Sequence, residues 1–249
     1  MIPIRDHNPS NRFPLITWIL IAINVLVFIS HWPLFTDSHI LGRFYDNYAL
    51  IPVQVSVHAL LLPFFTSMFL HGSFLHLAGN MLFLWIFGDN LEDRLGHFLY
   101  LLFYLAAGFV AGFMQYVSAP FSDIPVVGAS GAIAGVMGGY LLLYPKARVD
   151  ILLIFIIFFR IISIPAWLAL CIWFILQIFG VIGSDANSGG VAYMAHAAGF
   201  AAGAVMVLPI IIMQGGVKHW SRTQGRPPYP EARYRKRKTR IPSVKLRDK

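Results

Sequence analysis

The sequence predicts an all-α membrane protein built as a bundle of six transmembrane helices, and composition is the first reason. Of the 249 residues, 57% are hydrophobic and only 12% are charged, with a mean hydropathy of +0.68. Soluble domains carry about 25% charged residues, so a soluble core of this size could not hide so much apolar surface. The second reason is a series of apolar segments long enough to cross a bilayer, and the third is the placement of basic residues between them.

The chain opens with a polar segment, residues 1–12, which is rich in turn-forming residues and lacks the organisation of a signal peptide. The first apolar run, 13–32, has the roughly 20 residues that a membrane-spanning helix needs, so we predict a retained helix there. The connection 33–70 is broken by proline and glycine, and its moderately apolar pieces suggest short amphipathic helices in the membrane interface.

Five further spans are expected along the rest of the chain. Four of them are unbroken apolar segments, at 72–88, 97–117, 128–144 and 191–213. The apolar run 151–182 is too long for a single span, and Arg160 and Pro165 interrupt it. We therefore predict a helix over 164–182 and an interfacial or partly buried piece over 151–159.

Basic residues lie almost entirely on one side of this arrangement. If the N-terminus is inside, Arg43 is the only one of the 19 Lys and Arg residues in an outside loop, which fits the positive-inside rule. The segment from Lys218 to the C-terminus alone holds 12 of them. We predict that both termini are cytoplasmic, and that a membrane domain, 13–213, is followed by a basic, disordered tail, 214–249.

The basic tail accounts for most of the formal net charge of +8. Nucleic acid is one class of partner for such a segment. We expect no nucleic acid, because a membrane body adjoins the tail and anionic lipid headgroups attract Lys and Arg near a bilayer surface. The expected partners are therefore the lipid bilayer and its anionic headgroups.

Four polar side chains fall inside or at the start of predicted spans: His76, Asn80, Ser130 and His196. Such groups are costly in a bilayer and are functional-site candidates by default. His76 and Asn80 are four residues apart and share one helix face. Hydrogen bonding between helices is the alternative reason for a polar pair of this kind.

Ser130 lies in the segment Gly128-Ala-Ser-Gly131, at the start of the predicted fourth span. The flanking glycines leave room for other atoms to approach the hydroxyl. The helix start supplies free backbone N–H groups and the positive end of the helix dipole, which favour developing negative charge. Taken alone, the segment is also typical of small-residue packing between membrane helices.

Small residues recur every fourth position on both of the spans that carry Ser130 and His196. One face has Gly131, Gly135 and Gly139, and the other has Ala195, Gly199 and Gly203. Two such faces allow close approach of helix backbones. Packed together they would bring Ser130 within reach of His196, which a serine needs because its hydroxyl is a poor nucleophile without a neighbouring base.

These residues resemble the rhomboid family of intramembrane serine proteases, bacterial type with six transmembrane helices. The matching segments, in order, are His76-Leu-Ala-Gly-Asn80, the Gly-x3-Glu-x3-Gly pattern of Gly88, Glu92 and Gly96, Gly128-Ala-Ser-Gly131, and Ala195-His196-Ala-Ala-Gly199 continuing to Gly203. The resemblance covers about residues 10–213. It implies a rhomboid-like bundle in a bacterial cytoplasmic membrane.

The resemblance also implies roles for individual residues. Ser130 would be the nucleophile and His196 the general base, while His76, Asn80 and the Ser130 backbone would stabilise the oxyanion. The substrates would be transmembrane proteins with a single span, and no cofactor or metal is implied. Gly88, Glu92, Gly96, Gly128, Gly131, Gly199 and Gly203 would be structural.

The chain departs from the family pattern at two places. Some members carry a Trp-Arg pair in the first loop, where this chain has Leu62-Pro63, and some carry an aromatic residue one turn after the nucleophile, where this chain has Ala134. These departures concern how the loop is anchored and how the histidine is oriented, and they leave the proposed chemistry intact.

Other functions remain as alternatives at the level of sequence. A metalloprotease would need His-Glu-x-x-His, but His71 and His76 are five apart, and the carboxylates Asp89 and Asp150 that an aspartyl protease would use lie at helix ends. A transporter often shows internal repeats, and the sequence has none. The nearest alternative is a catalytically inactive rhomboid-like scaffold that binds membrane proteins.

Overall fold

The computed structural model describes residues 2–155, 158–183, 190–232 and 234. Its α-helices over these residues are α1 (Leu15–His31), α2 (Ser38–Tyr48), α3 (Pro52–His58), α4 (Pro63–Thr66), α5 (Phe74–Leu95), α6 (His97–Ser118), α7 (Ser130–Leu143), α8 (Ala166–Gly183), α9 (Tyr193–Met213) and α10 (Val217–Thr223). Its strands are β1 (Ile2–Asp6), β2 (Arg148–Phe155) and β3 (Phe158–Pro165).

Each of the six predicted spans is occupied by one helix, namely α1, α5, α6, α7, α8 and α9. Within the described residues, four helices are long and apolar enough to cross a membrane, and a fifth span results if α5 is joined to the short helical segment before it, from which it is bent by 95°. The predicted helical membrane fold is therefore confirmed. The sixth span depends on α7, which has only 14 residues and would extend about 21 Å.

Helix α7 is short because it lies inside the bundle, where other helices rather than lipid surround it. Every residue from Gly131 to Tyr140 is buried. A helix that is apolar all round is the expected solution for such a central position. Helices α5, α6 and α9 pack around it, so that its first residue lies within the protein.

The two small-residue faces predicted from the sequence pack against each other in the structure. A Cβ atom added to Gly199 would overlap the carbonyl oxygen of Gly131, and one added to Gly203 would overlap that of Gly135. Contacts this close are possible only without side chains. The absence of a Cβ at these positions therefore sets the distance between α7 and α9.

Glu92 joins the first two long helices at the other end of α5. Its carboxylate is 1% exposed and accepts hydrogen bonds from the backbone N–H groups of Ile16 (2.7 Å) and Thr17 (2.8 Å), and from the Thr17 hydroxyl (2.8 Å). These are the N–H groups that the start of a helix leaves without an intrahelical partner. The carboxylate thus caps α1 and interacts favourably with its dipole.

Glycines on either side of Glu92 complete this junction. An added Cβ at Gly88 would lie 2.7 Å from the Tyr100 hydroxyl, so α5 can approach its neighbours there only without a side chain. Gly96 has φ +77° and ends α5 directly before α6 begins. Glycine adopts this left-handed region at no steric cost.

A three-stranded antiparallel sheet was not predicted. The N-terminal segment was expected to be turn-rich and residues 151–159 to form an interfacial piece, yet β1 pairs with β2 and β2 pairs with β3. The Ile and Phe residues of this segment favour a strand as much as a helix, because branched and aromatic side chains pack well on a pleated surface. Val149, Asp150 and Ile151 are all buried, so the start of β2 is covered on both of its faces.

The start of the predicted tail is ordered. Residues 217–223 form α10, and the Trp220 indole N–H donates to the Leu142 carbonyl oxygen at 2.9 Å, which holds this helix against the end of α7. The expected disorder therefore does not apply to α10. Residues 235–249 of the predicted tail lie outside the described residues.

Candidate active site

The candidate site begins where α7 begins. Ser130 is the first residue of this helix, and Gly128, two residues earlier, has φ +127°. The Gly128 N–H donates to the Ser67 carbonyl oxygen (2.9 Å), which fixes the turn. Ser130 is therefore presented at the N-terminus of a buried helix, where backbone N–H groups without an intrahelical partner can meet a developing anion.

The structure brings Ser130 and His196 together. The Ser130 Oγ atom lies 2.7 Å from Nε2 of His196, although 66 residues separate them in the sequence. This distance is within the range for an O–H···N hydrogen bond, and it is the geometry in which a histidine can remove the serine proton. The close packing of α7 on α9 produces it.

The other ring nitrogen of His196 also has a partner, and that partner was missed in the sequence. Nδ1 lies 2.9 Å from Oε1 of Gln177 on α8, and the Trp173 ring lies against the imidazole with centroids 5.8 Å apart at 34°. Gln177 is the only amide side chain in the predicted span 164–182, which holds no Asp, Glu, His, Lys or Arg. The rule that singled out His76 and Asn80 would therefore have found it.

His76 and Asn80 lie on the same side of α5, facing the turn before Ser130. A Cβ atom added to Gly128 would lie 2.8 Å from the His76 ring and 3.6 Å from the Asn80 amide nitrogen. Asn80 is 8% exposed, and its amide N–H donates to Nε2 of His71 at 2.9 Å. Two side-chain donors thus lie beside the start of α7, as a site for an oxyanion requires.

A single cavity of about 830 Å³ connects these groups. Its walls include all four candidate residues, His76, Asn80, Ser130 and His196. The remaining walls are mainly apolar, with Phe83, Met137 and Trp173 among them. A concave apolar site with a few convergent polar groups is the form expected of a binding site.

The residues predicted to be structural fall into two groups. Gly128, Gly131, Gly199 and Gly203 surround Ser130 and His196 and set the packing described above. Gly88, Glu92 and Gly96 lie toward the opposite end of α5, with Glu92 about 24 Å along the helix from His76. In residues 2–155, 158–183, 190–232 and 234, no three His, Cys, Asp or Glu side chains are grouped closely enough to hold a metal ion.

A family model described as the rhomboid domain matches residues 58–212. The chain is 32% identical over 135 residues to the human presenilin-associated rhomboid-like protein, mitochondrial, covering 53% of this chain and 34% of that protein. It is 32% identical over 137 residues to rhomboid protease GluP of Bacillus subtilis (strain 168), covering 53% of this chain and 25% of that protein.

A third similar protein is the presenilin-associated rhomboid-like protein A, mitochondrial, of Danio rerio, with 35% identity over 100 residues, 39% of this chain and 26% of that protein. The matched part of the chain therefore spans about a quarter to a third of the length of these three relatives. The residues matched by the family model, 58–212, include the four candidate site residues His76, Asn80, Ser130 and His196.

Proposed function

The chain belongs to the rhomboid family, and from that premise we propose that it is an intramembrane serine endopeptidase. It hydrolyses peptide bonds in or near the transmembrane segments of single-span membrane proteins. The observation that carries the proposal is the 2.7 Å contact between Ser130 Oγ and His196 Nε2 inside a cavity that could admit a peptide. The name of the B. subtilis relative, a rhomboid protease, supports the same activity.

In the proposed reaction the Ser130 oxygen attacks the carbonyl carbon of the scissile bond. His196 accepts the hydroxyl proton at Nε2 as the new C–O bond forms, which makes the hydroxyl an effective nucleophile. The carbonyl oxygen becomes an oxyanion. His76, Asn80 and the Ser130 backbone N–H donate hydrogen bonds to it at the positive end of the α7 dipole.

Collapse of the tetrahedral intermediate completes the first half of the reaction. The C–N bond breaks, and His196 returns its proton to the leaving amine. Water then enters the cavity, is deprotonated by His196 and attacks the acyl ester on Ser130, which releases the new carboxyl end and restores the serine. No cofactor takes part in either half.

Substrate choice follows from the membrane setting. A peptide bond inside a stable helix is shielded by its own hydrogen bonds, so a segment must unwind before its carbonyl can reach Ser130. We therefore propose that the substrates are single-span proteins with small residues at the cut site and locally unstable helices. The chain contributes a cavity with apolar walls to receive them.

We further propose that the protein lies in a bacterial cytoplasmic membrane with both termini inside. The segments assigned to the inside by their charge contact one another: β1 pairs with β2, and the His7 carbonyl oxygen accepts from the Ala232 N–H at 3.0 Å. Arg94, Arg222 and Arg226 also line a second cavity on this side, of about 440 Å³. Anionic lipid headgroups are the proposed partners of these arginines and of the tail.

The test of the headgroup contact is thermal stabilisation of purified protein by added anionic phospholipid. The variant Arg222→Gln/Arg226→Gln should lose part of the stabilisation that wild type gains, while Arg43→Gln, on α2, should keep it. Equal stabilisation of all three proteins would reject the contact.

The test of the activity is cleavage of a single-span reporter in lipid vesicles by wild type, Ser130→Ala and His196→Ala side by side. We expect cleavage by wild type alone. A fluorophosphonate probe should label wild type at Ser130 and leave Ser130→Ala unlabelled. Cleavage by Ser130→Ala at the wild-type rate would reject the mechanism, and wild type that neither cleaves nor reacts with the probe would favour the scaffold function.

A further inference from the structure

The environment of His196 on the side away from Ser130 is made by one helix, α8. Gln177 is 8% exposed there, and its Oε1 lies 2.9 Å from Nδ1 of the imidazole. Its Nε2 donates to the carbonyl oxygen of Trp173, one turn earlier, at 3.2 Å. Both the oxygen and the nitrogen of the Gln177 amide thus have a hydrogen-bond partner, and one orientation of the amide satisfies both bonds.

The bond to Trp173 determines which end of the amide faces the histidine. A backbone carbonyl can only accept, so the NH2 group of Gln177 must be the end that faces Trp173. The oxygen is then left facing Nδ1 of His196. An amide oxygen can only accept a hydrogen bond, so the proton of the neutral imidazole is held on Nδ1.

This assignment fixes the nitrogen that faces the serine. With the proton on Nδ1, Nε2 carries the free lone pair, and Nε2 is the atom 2.7 Å from Ser130 Oγ. The opposite tautomer would present an N–H to the hydroxyl and could not accept its proton. When Nε2 takes that proton, the Nδ1–H bond to Gln177 becomes charge-assisted and stronger.

From this geometry we propose that Gln177 is the positioning residue of the general base, selecting the tautomer and the ring orientation of His196. The proposal rests on the proposed protease function and deepens it. Trp173, four residues earlier on α8, lies against the ring and limits its rotation. Ala134 is fully buried and stands where some members of the rhomboid family carry an aromatic residue. The rotation of the His196 ring is therefore restrained by α8 and not by α7.

Gln177 acts through His196 and has no direct route to the substrate. Trp173 and His196 line the cavity of about 830 Å³, whereas Gln177 is not among its walls. Loss of Gln177 should therefore lower kcat and leave KM unchanged. A glutamine that merely satisfies its own polar group within α8 would affect stability and neither kinetic constant.

The kinetic test compares Gln177→Met, which keeps the length of the side chain but has no amide oxygen, with Gln177→Glu, which keeps an oxygen. We expect kcat for a single-span reporter to fall about 10–100-fold in Gln177→Met, the range for losing a hydrogen bond to a group that becomes charged. Gln177→Glu should recover most of the loss. Wild-type kcat in Gln177→Met would overturn the proposal.

Gln115 provides a control that differs from Gln177 in lining the cavity, so its replacement can also change KM. It is also 8% exposed and also bonds to α9, but its Oε1 accepts from the Ala195 backbone N–H at 3.1 Å instead of from the histidine. Gln115→Met tests the effect of removing a buried amide next to α9. If it lowers kcat as much as Gln177→Met and neither variant changes KM, the effect belongs to helix packing and the proposal fails.

A second measurement does not depend on cleavage. Nitrogen-15 NMR of protein labelled at histidine, with His196 assigned by its loss in His196→Ala, reports which ring nitrogen carries the proton. Wild type with neutral His196 should show protonated Nδ1, and Gln177→Met should show a mixture. Protonated Nε2 in wild type overturns the proposal, whereas a fixed Nδ1–H tautomer without any cleavage would count against the protease function alone.

Discussion

The amide nitrogen of Asn80 lies 2.9 Å from Nε2 of His71, a histidine with 0% exposure that immediately precedes the turn into α5. The Asn80 NH2 group has two hydrogens, and this bond uses one of them. The other stays free for an oxyanion beside Ser130. His71 therefore holds Asn80 in the orientation that its proposed role requires.

Replacement of Asn80 tests that role. Asn80→Ala should lower kcat for a membrane reporter by about 10²–10³-fold with little change in KM, because the lost hydrogen bond forms mainly in the transition state. Asn24→Ala is the matched control, since Asn24 is fully buried on α1, donates to the Leu20 carbonyl oxygen and is not among the residues that line the cavity. It should keep the wild-type kcat while losing thermal stability.

The packing of α7 on α9 makes Gly199 sensitive to a single methyl group. Gly199→Ala would push its Cβ into the Gly131 carbonyl oxygen and force the two helices apart. Misplacement of reacting groups by about 1 Å can cost 10²-fold in rate, so a loss of that order in kcat is expected. Gly42→Ala, where an added Cβ meets nothing within 4 Å, should behave as wild type. Full activity of Gly199→Ala would contradict this account of the dyad.

Glu92 should be required for stability and not for chemistry. Glu92→Gln places an NH2 group where both carboxylate oxygens now accept hydrogen bonds, so at least one buried donor of α1 loses its acceptor. The free energy of unfolding should fall by about 1–3 kcal/mol, seen as a Tm lower by several degrees. Asp93→Asn keeps an oxygen for the Arg12 N–H at 3.1 Å, and its Tm should stay near that of wild type.

Asp6 should make stability depend on pH. Burial, followed by the negative charge of Asp89, raises the pKa of Asp6 from 3.8 to about 8. Between about pH 4 and pH 8 the folded protein therefore binds more protons than the unfolded chain, so stability falls as the pH rises through this range.

The variant Asp6→Asn isolates this effect, because asparagine cannot ionise. In the structure the Tyr140 hydroxyl donates to Asp6 Oδ2 at 2.7 Å, and the asparagine oxygen can accept the same hydrogen bond. The Tm of wild type should drop more than that of Asp6→Asn between pH 5 and pH 8.5. Each ~1 kcal/mol corresponds to about 2–4 °C for a chain of this size. Asp46→Asn, at an exposed site, should follow wild type, and parallel curves for all three proteins would refute the assignment.

The meeting of Ser130 with His196 was predictable because it depends on residues whose spacing is visible in the sequence. Glycine and alanine at every fourth position mark a helix face, and two such faces predict close packing. Six helix positions followed from apolar length for the same reason. Both predictions use a single physical property that recurs along one helix.

The sheet and the partners of His196 depend instead on pairings between distant segments. The apolar residues 151–155 have the same composition whether they form a strand or a helix, and only pairing with β1 and β3 decides between the two. Gln177 is recognisable in the sequence as a polar side chain within a span, but the sequence does not indicate that it contacts His196. That information lies in how α8 docks on α9.

The pairing of β1 with the distant strand β2 affects the order in which parts of the protein fold. It contains the first residues of the described chain, yet Arg5 bonds to Asp150, 145 residues later, with Nε to Oδ2 at 2.7 Å. Helices α1, α5, α6 and α7 must all be synthesised before that partner exists. Contacts of such long separation form slowly, so β1 reaches its native place only after the chain has been made through β2.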